Sequence, residues 1–249
     1  MLVQVKLDHL TIVLHQPRFA ENIGSTARAA WNMGLTHLAL VNPEDTDWER
    51  MTKLSTHVAR GLLEKMEIHT SLAEALAPYQ FIIGTTARLG GQRKELITPN
   101  QAARKIRSLG NRNRVALLFG PENRGLSNEE LRFCQTVVNI PTASESSLNL
   151  AQAVLILGYE ILLVLQEESP EPALPPLATS FELEGMYRHL SEVLQMMDFL
   201  DEQNPELWMM SLRRFFAHTG LLSNEVRLIR GVCRQLNWFV KTQREQKSE

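Results

Sequence analysis

The chain is poor in features that mark several large protein classes, and each shortage removes one class. Among 249 residues there are only two cysteines, Cys134 and Cys233. They stand far apart, each in a stretch expected to be helical. Free core thiols in a reducing compartment are therefore expected, rather than a disulfide framework. No His/Cys cluster has zinc spacing, so no metal is expected. No apolar run approaches ~20 residues, so no membrane span is expected. The opening stretch MLVQVKLDHLTIVLHQPRF contains Asp8 and no small-residue cleavage site. A secretory signal is thus not expected, and a cytoplasmic location is. Positive charge is not in excess: the net charge is −2, with a pI near 6.4. That argues against a generally basic nucleic-acid binder, though not against a local basic face. The first apolar run is followed by QPRFAENIGS. One glycine there, where a dinucleotide fingerprint needs G-x-G-x-x-G, excludes an NAD-type Rossmann site, and a P-loop is missing as well. No internal repeat is visible.

What is present is an ordinary globular composition, 44% hydrophobic and 22% charged, with strand-like and helix-like patterns in alternation. Leu10–Leu14, His37–Val41, Phe81–Gly84, Val115–Phe119 and Val137–Ile140 read as strands. Glu21–Asn32, Trp48–Lys65 and Ser71–Ala77 read as helices, followed by helices that start at Thr98–Pro99 and at Ser127 and a long one over Leu148–Gln166. Such alternation predicts an α/β fold, a mainly parallel sheet with helices on both faces. Glu167–Thr179 (EESPEPALPPLAT) reads as a semi-rigid, Pro-rich linker. Three amphipathic helices are expected after it, in Phe181–Leu200, Pro205–Thr219 and Ser223–Lys241. The chain thus divides into a domain over 1–166, a linker over 167–179 and a small all-helical extension over 180–249.

The densest chemistry lies in Val115–Glu160, where two apolar runs end in loops rich in Gly, Pro, Ser and Asn. Ligands of parallel α/β proteins bind at such strand ends. These loops carry Glu122, Ser146, Ser147 and Asn149. A further block, Asn22-x-Gly24-x-x-x-Arg28, stands where the first strand gives way to a helix. Read alone it is a helix cap, a tight-turn glycine and a solvated arginine. Read functionally, Asn22 and Arg28 are spaced to reach the same loop end. Glu122 alone is a charged loop residue, and Ser146–Asn149 a helix-capping run. Gly120 lets backbone approach a ligand without Cβ hindrance.

Taken together, Asn22, Gly24 and Arg28, then Phe119, Gly120 and Glu122, then Ile140, Pro141, Ser147, Leu148, Asn149 and Ala153 resemble the motifs of the SPOUT superfamily of RNA methyltransferases, in its 2'-O-ribose branch. The resemblance covers residues 8–166. It implies a C-terminal trefoil knot whose crevice holds S-adenosyl-L-methionine, and a homodimer that brings Arg28 of one subunit toward cofactor held by the other. By the same route the cofactor is held by Thr85, Thr86, Ala87, Gly120, Ile140, Ser147 and Leu148, while Arg28, Asn22, Glu122, Ser147 and Asn149 form the catalytic set. Arg28 is the principal catalytic residue of that set. An arginine normally stays protonated, which favours an electrostatic role over that of a base.

The segments DFL, RRFF and SNEVRLIRG of the extension resemble the TrmJ branch, tRNA (cytidine/uridine-2'-O-)-methyltransferases acting on an anticodon-loop ribose. A ribosomal RNA ribose methyltransferase is the alternative, and a non-catalytic RNA-binding adaptor a third reading. Arg227, Arg230 and Arg234 fall on one helix face with Arg213 and Arg214 upstream. They are either a solvated face or, with Arg28, contacts to RNA phosphate.

Overall fold

Seven strands form one sheet: β1 Leu10–His15, β2 Leu38–Val41, β3 Glu67–His69, β4 Phe81–Thr85, β5 Leu96–Ile97, β6 Val115–Phe119 and β7 Thr136–Val138. Their order is β3-β2-β1-β6-β4-β7-β5, and every pairing is parallel. The structure is a computed structural model that describes residues 7–87, 96–143, 147–167, 174–197, 199–200 and 205–246. Two compact units appear, Met1–Pro175 and Pro176–Glu249.

Every residue of β1, β2 and β6 is buried, as a parallel sheet covered on both faces requires. Side chains alternate across the sheet. Val13, Val41, Ile82, Ala116, Leu118 and Val137 share one face, packed with residues of α4 (Leu72–Leu76) and α6 (Asn128–Leu131). Ile12, Leu14, Leu40, Ile83, Leu117 and Phe119 are left for the other face and are equally buried. The remaining large helices are α1 Ala20–Asn32, α5 Pro99–Leu109 and α7 Leu150–Gln166, and α7 packs against both α1 and α5. Capping boxes close the starts of α5 (Thr98/Gln101), α6 (Ser127/Glu130) and α7 (Asn149/Gln152). Gly34, at φ +77°, takes the chain out of α1 toward β2.

Four expectations are corrected. Trp48–Lys65 is two helices, α2 Trp48–Leu54 and α3 Arg60–Glu64. Ser55 between them is extended (φ −85°, ψ 152°), and nearby hydroxyls take up backbone groups: Thr52 Oγ1 donates to the Trp48 carbonyl at 2.8 Å and Thr56 Oγ1 accepts from Ala59 N at 3.3 Å. Cys134 lies just after the four-residue α6 rather than in a helix, although both cysteines are buried thiols outside any disulfide. β7 stops at Val138, so Ile140 belongs to the loop beyond it. Gly24 makes no tight turn. It sits inside α1, where a Cβ would collide with the Met51 carbonyl of α2, so it is the point of closest helix approach. β3 and β5 carried no sequence signal, being three and two residues long at the sheet edges.

Part of the Pro-rich segment, 168–173, lies outside the described residues. The end of it is bound rather than free. Leu174 N donates to the Ser108 carbonyl at 3.0 Å, and the buried Asn113 amide donates to the carbonyls of Leu174 (3.4 Å) and Pro175 (3.3 Å). The second unit holds α8 Ser180–Met196, α9 Pro205–Thr219 and α10 Ser223–Gln246. Its small core is built on Ala178, Met186, Tyr187 and Val226.

Candidate active site

In a parallel sheet all strand C-termini open on one edge. Here β1 leads toward β2 on one side while β6 lies beside β4 on the other. The crevice between β1 and β6 is therefore a topological switch point, where a site is expected. Two loops leave it, Gln16–Phe19 from β1 and Gly120–Leu126 from β6. A carboxylate ties them together. Glu122 Oε2 accepts from the Arg18 backbone N–H at 3.0 Å and its Oε1 accepts from Asn22 Nδ2 at 2.7 Å. Asn22 Oδ1 in turn accepts from Asn149 Nδ2 at 3.1 Å, and Asn149 Oδ1 caps α7 by accepting from Ala151 N at 3.0 Å. Three residues from three distant blocks of sequence thus form one chain of hydrogen bonds. The Arg18 amide had no sequence signal, because any residue but proline supplies one.

Beside this chain lies a cavity of about 780 Å³ at the ends of β4, β6 and β7. Thr85, Thr86, Ala87, Gly120, Ile140, Ser147 and Leu148 all line it, as does Glu122. Every residue expected to hold a cofactor therefore faces one space, of a size usual for small-molecule sites. Val138, Ile140, Leu148 and Leu150 give it an apolar side. Backbone order there is fixed by Thr86 N donating to the Val138 carbonyl at 2.9 Å, Asn139 Nδ2 to the Thr86 carbonyl at 3.0 Å, and Thr85 Oγ1 to the Leu118 carbonyl at 3.2 Å. Ser146 lies outside the described residues.

Two expected details change. A Cβ on Gly120 would strike the Gly125–Leu126 backbone. The loop's own return therefore demands this glycine, whatever the ligand demands. Arg28 is not among the residues lining the cavity. Six residues along a helix carry it about 9 Å from Asn22 and roughly 240° around the axis, so the two do not reach the same loop end. Arg28 is exposed and makes no hydrogen bond or ion pair among the described residues.

Sequence reading also missed a cation held at the cavity wall. Arg124 lines the cavity and donates to both oxygens of Glu130, at 2.8 and 3.0 Å, and to Gln16 Oε1 at 2.8 Å. Glu130 also accepts from Ser127 N at 2.6 Å and meets His15 Nε2 at 3.0 Å. Burial alone would raise the Glu130 carboxyl, but Arg124, the Ser127 amide and His15 together hold it below its ordinary value. His15 is only 6% exposed, and burial pushes its imidazole down despite the neighbouring Glu130. Its Nδ1 has no partner among the described residues. That suits a neutral ring donating through Nε2, since protonation would leave an N–H unsatisfied. The available signal was the Ser127/Glu130 capping box, but nothing in it pointed to His15, 115 residues away.

A model of the SpoU rRNA Methylase family matches residues 9–159, and one of the tRNA methyltransferase TrmJ C-terminal domain matches residues 181–248. The chain belongs to the TrmJ family of SpoU-class methylases. It is 36% identical over 231 residues to the tRNA (cytidine/uridine-2'-O-)-methyltransferase TrmJ of Sodalis glossinidius (strain morsitans), covering 91% of this chain and 90% of that protein. It is 35% identical over 240 residues to the tRNA (cytidine/uridine/adenosine-2'-O-)-methyltransferase TrmJ of Pseudomonas aeruginosa (strain UCBPP-PA14), covering 91% and 93%. The crystal structure of TrmJ from Z. mobilis ZM4 superposes with a TM-score of 0.78 at 33% identity, covering 91% of this chain and 98% of that one.

The segment matching the TrmJ C-terminal domain does not present its three arginines alike. Arg227 and Arg234 are exposed, Arg227 donating to the Ser223 carbonyl at 3.3 Å. Arg230 is half-buried, its guanidinium packed on Gly185 of α8 and its Nε enclosed without an acceptor among the described residues. Arg213 pairs with Glu184 and stacks 4.2 Å from the Tyr187 ring centroid.

Proposed function

We propose that this TrmJ-family chain transfers a methyl group from S-adenosyl-L-methionine to a ribose 2'-hydroxyl of tRNA, in the anticodon loop at nucleotide 32, C or U. The observation that carries the reading is the adjacency of two things: a cavity faced by every expected cofactor residue, and the Asn22–Glu122–Asn149 chain on its rim. S-adenosyl-L-methionine supplies the electrophilic methyl. The apolar side of the cavity suits adenine, and the Gly120–Arg124 and Ile140–Ala143 loops offer polar groups for the rest. This chain's own part is to hold the ribose and disperse the charge that develops on its 2'-oxygen. Glu122 keeps Asn22 in place, Asn22 orients Asn149, and Ser147 sits where the rim meets the cavity. Arg28 acts electrostatically on phosphate or on the developing alkoxide.

Because Arg28 lies off the cavity, the reading includes a homodimer in which Arg28 serves the partner's site. Exposed Leu155, Tyr159 and Leu163 on one face of α7, with Trp31 one turn from Arg28 on α1, supply an apolar surface for it. We assign residues 1–166 to a catalytic domain with a trefoil-knotted C-terminal crossing, 167–179 to the linker and 180–249 to an RNA-binding extension that uses Arg227, Arg230 and Arg234. We place the protein in the cytoplasm, with its substrate. No helix among the described residues is long and apolar enough to cross a membrane.

Labelled S-adenosyl-L-methionine incubated with tRNA and, separately, with ribosomal RNA tests the reading. Label in tRNA, mapped to ribose 32, is expected. Label confined to ribosomal RNA would make the chain a ribosomal enzyme, and none in either would leave an adaptor.

A further inference from the structure

The N-terminal entry of α1 lacks the polar side-chain cap that opens several other helices of the chain. The long helices α5, α7 and α8 start from Thr98, Asn149 and Thr179 in capping boxes, whereas α3 starts from Ala59 and α10 follows Leu222, neither of which offers a polar side chain. α1 starts from Phe19, which can supply no side-chain cap. The ring does not repay this by filling the core, since Phe19 is 46% exposed. What sets Phe19 apart is its place: an aromatic face left in water between Arg18 and Asn22, both of which donate to Glu122, is the kind of local inconsistency found at functional positions.

Everything around that ring is fixed. Gln16, at φ +50°, donates through its N–H to the Val41 carbonyl at 2.7 Å, and the Pro17 carbonyl accepts from Glu44 N at 3.0 Å. The Arg18 amide holds Glu122, and the Phe19 carbonyl accepts from Asn22 N at 3.0 Å. The Arg18 guanidinium lies 5.5 Å from the Phe19 ring centroid while its Nε donates to Glu44 at 3.2 Å. The ring is therefore held against a cation on a pinned backbone, between the two residues that grip Glu122.

We propose that Phe19 is a stacking platform for an unpaired RNA base next to the ribose that is methylated. Aromatic faces are how proteins hold splayed bases of single-stranded RNA, and preorganisation by Arg18 and the pinned loop lowers the cost of holding one. The inference rests on the tRNA reading above and adds to it a contact for a base rather than for the ribose or the cofactor.

The test compares Phe19→Ala, Phe19→Leu and Phe19→Trp in the full-length protein. The probe is an anticodon stem–loop RNA carrying 2-aminopurine in the loop, with kcat/KM on whole tRNA measured alongside. Phe19→Ala is expected to weaken hairpin binding and kcat/KM by roughly 5- to 150-fold, the range of one lost base stack. Phe19→Trp should restore both, along with the 2-aminopurine fluorescence change, and Phe19→Leu should not. Affinity for S-adenosyl-L-methionine, read by calorimetry, should stay the same throughout. Unchanged RNA affinity in Phe19→Ala, or rescue by Leu as full as by Trp, overturns the platform. A wild type that binds the hairpin but methylates no tRNA would instead sink the functional reading and leave the stacking result standing.

Discussion

Asn22 and Arg28 belong to one motif on one helix, yet they live in different surroundings. Asn22 is half-buried, bonded to Glu122 on one side and Asn149 on the other. Arg28, one and a half turns on, is exposed and off the cavity. A residue that shapes a site from within is recognised by its partners. A residue that completes a site from outside shows only its chemistry and its lack of a partner within the described chain. The inner end of α1 is therefore tied into the site by its hydrogen bonds, and the outer end, on the reading proposed above, serves another surface.

The sharpest way to break that contrast is Arg28→Ala. If Arg28 acts only in the transition state, as proposed, its removal should lower kcat by on the order of 10²–10³, with kcat/KM falling equally. Affinity for S-adenosyl-L-methionine and thermal midpoint should be unchanged. Co-refolding Arg28→Ala with a subunit whose cavity is filled by Leu148→Arg then tests whose site Arg28 serves. Activity in the mixture, absent from either parent, is expected. No recovery, or a monomer by light scattering, returns Arg28 to its own chain. Gly120→Val would serve poorly as the second lesion, since its side chain collides with Gly125–Leu126 before it meets any ligand.

Glu122 should behave in the opposite way, as a residue felt both in stability and in activity. Each of its oxygens accepts from an N–H, and a hydrogen bond to a charged group contributes about 1.5–3 kcal/mol. Glu122→Gln keeps the shape but turns one acceptor into a donor facing a donor. It should cost nearly as much as Glu122→Ala, with a lower thermal midpoint and a kcat/KM down roughly 10- to 100-fold. A Gln variant with wild-type stability and turnover would show that the chain from Asn22 to Asn149 does not depend on this carboxylate.

The same contrast explains what the sequence could tell. β1, β4 and β6 are continuous apolar runs with abrupt polar ends, so they announce themselves, as do the Thr98–Pro99 helix start and the Ser127/Glu130 capping box. β3 and β5 are too short to carry a period, and the break at Ser55 depends on hydroxyls whose competition with the helix is invisible in an otherwise helical composition. The cavity was legible because its walls are strand-end loops with motif residues. The Arg18 amide and the His15–Glu130–Arg124 cluster were not, because backbone donors have no residue code and His15 meets Glu130 only through the sheet. The spacing of Asn22 and Arg28 misled for a simpler reason: closeness in sequence on a helix does not put two side chains on one face.

A smaller effect separates the two units. Ending the chain after Pro175 keeps the Leu174 and Pro175 carbonyls on the Asn113 amide. That form should still bind S-adenosyl-L-methionine but methylate tRNA poorly, with a flatter dependence of RNA affinity on salt by about one unit of slope per lost phosphate contact. Ending it at Glu168 removes those two bonds and the one from Leu174 N to the Ser108 carbonyl, leaving the Asn113 amide on the Leu109 carbonyl at 2.7 Å, and should cost a further ~1 kcal/mol by urea denaturation. Equal stability of the two truncations would show that Leu174–Pro175 is a passenger. Full-rate tRNA methylation by the longer form would remove the extension from RNA binding.

The smallest effect is one of pH, and it tests whether the cation at the cavity wall is held as firmly as the Asn22 side. The Glu130 carboxyl lies below its ordinary value of 4.5 in the folded chain, and the His15 imidazole lies below 6.5. For both groups the unfolded chain binds the proton more readily, so stability falls with acid. The His15 contribution is complete above about pH 6.5 and is lost as pH drops below that through the folded value. The Glu130 contribution is complete above about 4.5 and is lost at still lower pH. His9 is also lowered by burial, so the measurement must be a difference. Urea midpoints of the wild type and His15→Gln, which keeps a donor toward Glu130 but cannot titrate, should converge between pH 7 and 5.5 as the wild type alone loses its His15 contribution. Because Arg124 lines the cavity, affinity for S-adenosyl-L-methionine should weaken over the lower window, where Glu130 takes up its proton and its hold on the guanidinium, shared with Gln16 and the Gly125 carbonyl, loosens. A difference between the two proteins that stays constant from pH 7 to 5.5 would mean that His15 does not change charge there, and that this wall of the site is insensitive to it.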